Sequence, residues 1–394
     1  MAAQSGKKRK QKKNGVQIAA GVTKQLVIYV VTAVMLICAV LAVVYRDRLN
    51  LDALKRWVAY GSLSTDEDGQ AERFSFSGGS DSAFASLDGG LLVCSANSLQ
   101  LLSRSGDEAL SMEVSMKEPV ISTAGDYAVV YDVGGSDLYV FHSAEQVFSY
   151  STSGDYALLS ARVNENGALV VVEQTSGYKA TVTVYGSDYQ PRIAINESTN
   201  FITDAVLSPD SRSVAVIEIY QDESALGSDL VVYQVSDASV ISTTQLGEQL
   251  VLDLRWQDGR IWLEREYGVT VANSSGNILD TWGDASKYLE RYSLDGDGYA
   301  VELMSKYKSG SMGELWVIDS SGQQKVSRSV SEEVLSVSAA GRYIAVLTTS
   351  SLVVYNSDLE EYASTVNTTA RRVIMRSDGS AMMIGTDEAW LFVP

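Results

Sequence analysis

VNENGALVVV (163–172) joins the end of one apolar strand to the start of a second through a turn of Asn, Glu, Asn and Gly. The run that follows, Ala168 to Val172, is apolar at every position, which requires burial on both faces and not on one. The same device recurs as LSPDSRSVAVI (207–217), WQDGRIWLE (256–264), LDGDGYAVEL (294–303), VSAAGRYIAVL (337–347) and MRSDGSAMMI (375–384). Two weaker copies, SLDGGLLVC (86–94) and STAGDYAVV (122–130), bring the turns to eight. Their spacing of roughly 35 to 50 residues is that of four-stranded propeller blades.

Working outward, most copies continue into a third apolar strand and a second polar turn, as in VTVYGSDYQ (182–190) and LWVIDSSGQ (315–323). The last copy supplies only three strands before the sequence ends at Pro394. Glu72 to Phe76 has the length and alternation to be the missing fourth strand, which would close the ring by pairing its two ends. The fold class expected is all-β, a β-propeller of eight blades with seven as the alternative, preceded by one N-terminal transmembrane helix.

Gln25 to Tyr45, QLVIYVVTAVMLICAVLAVVY, contains no charge and is long enough to cross about 30 Å of hydrocarbon as a helix. Seven of the 31 Lys and Arg stand before residue 25, where no acid occurs, so the N-terminus is expected in the cytoplasm and the remainder outside. A cleaved signal peptide with Val40-Leu41-Ala42 as processing site is the competing reading, set back by the length of the apolar run. Cys38 does not make a lipobox, because Ile37 stands where a small residue is needed. The expected order is a basic cytoplasmic tail (1–24), a transmembrane helix (25–45), a juxtamembrane amphipathic helix (46–61), a linker (62–71) and an extracytoplasmic propeller (72–394). Leu51, Leu54, Trp57 and Val58 repeat at helical spacing, and docking of that stripe on the outer domain is preferred to its lying on the membrane.

The basic tail and single helix, the segment LDALKRWVAYGS (51–62), PVISTAGDYAVVYDVGGSDLYVF (119–141) and SARVNENGALVVVEQTSGYKATVTVYGSD (160–188) carry a resemblance. The chain resembles the uncharacterised bacterial family called domain of unknown function 5711, membrane-anchored propeller-like proteins of Gram-positive anaerobes. That resemblance implies the architecture and the topology at a bacterial cell membrane; it implies no activity and no site residue.

Beyond Tyr45 the chain has 24 basic against 49 acidic side chains, a formal charge of −25, which repels phosphate backbones and makes nucleic acid an unsuitable partner. The single histidine, His142, leaves a His-based metal cluster or a Ser-His-Asp triad little to work with and reads as a surface or turn residue. Asp66-Glu67-Asp68-Gly69 and Asp295-Gly296-Asp297-Gly298 each resemble part of a calcium loop but lack its spacing and distal Glu, and read as turns. The glycine pairs at 78, 89 and 134 read as turns, not phosphate loops. Cys38 and Cys94 do not pair, so the fold needs no disulfide. Asn196, Asn273 and Asn367 head formal glycosylation sequons that read as chance matches. Tyr131 to Gly135, Gly177-Tyr178, Trp256, Trp262 and Trp282 are the most distinctive aromatic features, with core packing preferred to recognition.

No catalytic, cofactor-binding or metal-ligating residue is assigned, no cofactor is expected, and ligand-binding residues stay unknown. The function expected is a binding or scaffold module at the cell envelope, not an enzyme, held in the bilayer by residues 25–45. Its partner would be an envelope protein, a peptide or a cell-wall component. The alternative is a carboxylate-dependent hydrolase or lyase acting on cell-wall glycans.

Overall fold

The computed structural model describes residues 51–394, apart from 62, 80, 155, 223, 224 and 309–311, together with 29, 31–33, 35 and 36. The chain divides into two units, Met1–Ala59 and Tyr60–Pro394. In the second, the described residues form eight four-stranded antiparallel sheets. Seven are built from four successive strands, and they are taken here as blade 1 (83–113), blade 2 (119–151), blade 3 (158–197), blade 4 (201–247), blade 5 (251–283), blade 6 (288–330) and blade 7 (334–366). Blade 8 joins Arg372–Met375, Ala381–Ile384 and Glu388–Phe392 to a strand from the other end of the unit, Phe74–Ser75. Phe74 pairs with Ala389 and Ser75 with Glu388, so the ring closes by the strand expected to close it.

The eight repeated turns all fall between the first and second strands of their blades. First strands touch one another around the centre, and fourth strands alternate between exposed and half-buried positions at the rim. Second strands are buried on both faces, as their unbroken apolar runs require: Gly90–Cys94, Tyr343–Thr348 and Tyr299–Ser305 are buried throughout.

Alternation then assigns each side chain to one neighbouring blade. From Leu169–Thr175, Leu169 and Val171 pack with blade 2, whereas Val170 and Val172 pack with blade 4. The core is thus a series of interfaces between blades, each fully buried Val or Leu contributing about 1.5–3 kcal/mol.

Neighbouring first strands run parallel and are pinned by serine: the Val373 and Met375 amides donate to the Ser336 and Ser338 hydroxyls at 3.3 and 3.0 Å. Because they run parallel, the ring has two distinct faces. One carries the eight turns between first and second strands. First strands enter from the opposite, strand-entry face, which also carries the hairpins between second and third strands. Tyr60, the first residue of this unit, sits on the turn face, its hydroxyl donating to Asp378 at 2.7 Å.

One expectation needs adjustment. The stretch 62–71 is not a free linker over its second half: Asp66 caps its own turn by accepting from the Asp68 and Gln70 amides, and the Ala71 amide donates to the Leu391 carbonyl. Backbone pairing with the last strand therefore begins before Glu72, although the regular strand is confined to Phe74–Ser75. The juxtamembrane helix runs Leu51–Tyr60 among the described residues, with Leu54 57%, Trp57 72% and Val58 73% accessible. The anchor at 25–45 falls outside the described residues except for six helical positions, and no helix among the described residues is long and apolar enough to cross a membrane.

Candidate binding face

The strand-entry face gathers apolar features that the sequence scatters over three blades. Tyr178, in the hairpin between second and third strands of blade 3, and Leu226, in that of blade 4, are both exposed there. Phe201 and Tyr288, at the starts of the first strands of blades 4 and 6, project at the same face, and Phe201 is 58% accessible. Tyr307 and Met312, between the second and third strands of blade 6, are 63% and 72% accessible. Four other exposed apolar residues, Val240, Ile241, Ile278 and Leu279, lie at the turn-face ends of fourth strands. An apolar arc exposed on one end of a closed ring makes that end the candidate interaction face.

The channel within the ring is segregated by charge. On the first strands of blades 3, 4 and 5, Arg162 forks onto both oxygens of Asp204 (2.9 and 2.5 Å) and reaches Asp253 at 2.6 Å, while Ser160 also donates to Asp204. Burial alone would lower the Arg162 pKa, but the two carboxylates hold it well above its ordinary value. Burial would likewise raise Asp253, but Arg162 and Arg255 keep it below the usual carboxylate range. Arg255 pairs with Asp295 at 3.0 Å, so one of the turns resembling a calcium loop is a salt-bridge partner.

Across the channel lies a cavity of about 610 Å³ at the strand-entry ends of blades 6, 7, 8 and 1. Arg291, Arg371 and Arg372 line it with Phe84 and Ser336, and no Asp or Glu is among its lining residues. The Arg291 guanidinium donates to the Leu335 carbonyl at 3.1 Å and to the Glu290 carbonyl at 2.6 Å. The Arg372 guanidinium stands over the Phe84 ring at 5.5 Å. Such a site can bind an anion through forked donors whose directions are already fixed.

The residues singled out in the sequence do not converge on either feature. His142 is exposed and stacks on Tyr127 with ring centroids 4.4 Å apart. Tyr131, Trp256 and Trp262 are buried between blades, and half-buried Trp282 packs on Trp316, which leaves Tyr178 as the exposed one of these aromatics. Cys94 is buried, and burial first, then the charge of Asp132, pushes its thiol up to about 12, far from reactive. Asn367 is buried and donates to the Thr348 and Ala370 carbonyls, so its sequon is inaccessible in the fold.

A family model described as Family of unknown function (DUF5711) matches residues 66–390. The chain belongs to that family. A search of curated proteins gives no match. Among solved structures, the C-terminal WD40 domain of Sif2 is similar at a TM-score of 0.58 and 10% identity, covering 82% of this chain and 97% of that one. The computationally designed Ika8 protein is similar at 0.58 and 12%, covering 81% and 99%. BamB from Moraxella catarrhalis is similar at 0.51 and 10%, covering 82% and 99%. At such identities the likeness establishes the propeller fold of this family member and nothing about its ligands. Sequence reasoning missed the arginine cavity because its members come from different blades, and the one signal was that Arg291 and Arg372 are basic residues on first strands, which line the channel.

Proposed function

We propose that this protein is a membrane-anchored extracytoplasmic propeller that serves as a binding or scaffold module at the cell envelope, meeting its partner with the strand-entry face. The observation that carries the reading is the coincidence on one face of the exposed apolar arc and the mouth of the basic cavity. Anchoring draws support from the charge-free run 25–45 and from the exposed Leu54, Trp57 and Val58 stripe, which an interfacial helix would bury in the headgroup region. The chain enters the ring at Tyr60 on the turn face, which leaves the strand-entry face to an envelope protein, peptide or cell-wall component.

The carboxylate-dependent hydrolase reading draws less support, since the channel aspartates 204, 253 and 295 are engaged in ion pairs with Arg162 and Arg255. Photo-crosslinkers placed in cells at Phe201 and Tyr307 test the proposal against the same probe at Ser377 on the turn face. A discrete adduct from the first two positions and none from the third is expected. Equal labelling at all three would defeat it, and so would fractionation of the full chain away from membranes.

A further inference from the structure

We propose that the cavity on the strand-entry face binds a compact, multiply charged anion of the phosphate or polycarboxylate class, clamped by Arg291, Arg371 and Arg372. The inference deepens the binding-module reading and rests on it in one respect only, that this face is the working one. Its first support is the local reversal of charge. The chain beyond Tyr45 carries a formal −25, yet three guanidinium groups face a cavity without a carboxylate in its wall. Elsewhere in the channel the first-strand arginines are neutralised, Arg162 by Asp204 and Asp253 and Arg255 by Asp295. Arg291 and Arg371 have no carboxylate partner among the described residues, although acids outnumber bases two to one in this part of the chain.

The second support is preorganisation. Two backbone carbonyls accept from the Nε and Nη1 groups of Arg291, which holds its guanidinium in place in the cavity wall and leaves Nη2 without a protein acceptor among the described residues. Phe84 presents its ring to the Arg372 guanidinium at 5.5 Å. The Ser336 hydroxyl accepts from the Val373 amide, which leaves its own proton for a ligand oxygen. Fixing donors before the ligand arrives removes ordering cost, and a fork matches two oxygens of one phosphate or carboxylate group. The third support is size: about 610 Å³ accommodates a diphosphate or a tricarboxylate and lies within the range of small-ligand pockets.

Isothermal titration of the detergent-solubilised full chain with pyrophosphate, and separately with citrate, at low ionic strength provides the test. Saturable binding of at least one probe is expected, weakened at least tenfold by R371A/R372A and similarly by R291M, and unchanged by R192A on the rim of blade 3. Which probe binds tells phosphate from carboxylate. If the double alanine variant does not fold, R371K/R372K, which keeps charge and loses the fork, carries the same criterion. No saturable heat with either probe, or binding that survives loss of these arginines, overturns the inference. Crosslinking at Phe201 and Tyr307 would still decide the binding-module reading by itself.

Discussion

Glu264 and Glu302 face each other from the second strands of blades 5 and 6, in an interface otherwise filled by Trp262, Val269, Ala300 and Ile318. Both are 0% accessible, and none of their four carboxylate oxygens has a hydrogen-bond partner among the described residues. Desolvation, and for Glu264 the adjacent charge of Glu302, drives both pKa values upward, Glu302 to about 8. The folded carboxyl thus keeps its proton up to about pH 8, whereas an unfolded glutamate releases it near 4.5. The stability this group contributes is fully present below about 4.5 and is lost as pH rises through 8. Thermal midpoints should therefore fall between pH 5 and pH 9, and E302Q should flatten that slope and stabilise the protein at pH 9 by about 1–3 kcal/mol. Parallel melting curves for both proteins, without a difference at pH 9, would refute the assignment. Nothing in the local sequence announces this pair. WLE and VEL read as strands with one outward acid each, and only the stacking of two blades turns both acids inward.

At the scale of the element, the strands and turns were legible because each has a local cause. Seven of the eight turns carry Gly or Asp where the backbone turns left-handed, the blade 4 turn carrying Ser211 there, and the second strands are apolar on both faces. Blade 5 shows what local reading passes over. Gly268 at φ 139° stands opposite Gly283, and a Cβ on Gly268 would lie 2.1 Å from the Trp282 carbonyl oxygen. A Cβ on Gly283 would lie 2.2 Å from the Tyr267 carbonyl oxygen, so third and fourth strands meet there at a distance only a glycine pair permits. G268A should cost roughly 2–4 kcal/mol, measured by denaturant titration, and G259A, a positive-φ turn with open space around it, should cost less. Equal losses would remove the close approach as the cause. The pairing of residues 69–71 with the last strand escaped the sequence for a related reason: Asp66 to Gly69 is polar and turn-like, and the pairing is with backbone, which leaves no side-chain pattern.

Across the whole molecule, closure is the decisive event, since a ring exposes no interior sheet edge. Residues 69–75 supply it, with Ala71 and Phe76 buried, the Val393 amide donating to the Gly69 carbonyl and Arg73 lying over the Trp390 ring. A chain beginning at Ser77 should lose at least about 10 °C in melting temperature or aggregate through the bared edge of Glu388–Phe392, and one beginning at Tyr60 should melt as the full chain does. Calorimetry with light scattering distinguishes the two, and equal midpoints would show closure to be dispensable. The sequence by itself determined that the chain is a repeat of short strands, that eight turns punctuate it, that its ends meet, and that a charge-free run precedes it. These follow from alternation, turn chemistry and composition, which act over a few residues. Only the tertiary structure decided which end of the ring gathers the exposed aromatics, that Arg291, Arg371 and Arg372 share one cavity, and that two carboxyls share one interface. Each joins residues from different blades, and no local pattern records a distance that is set when the ring closes.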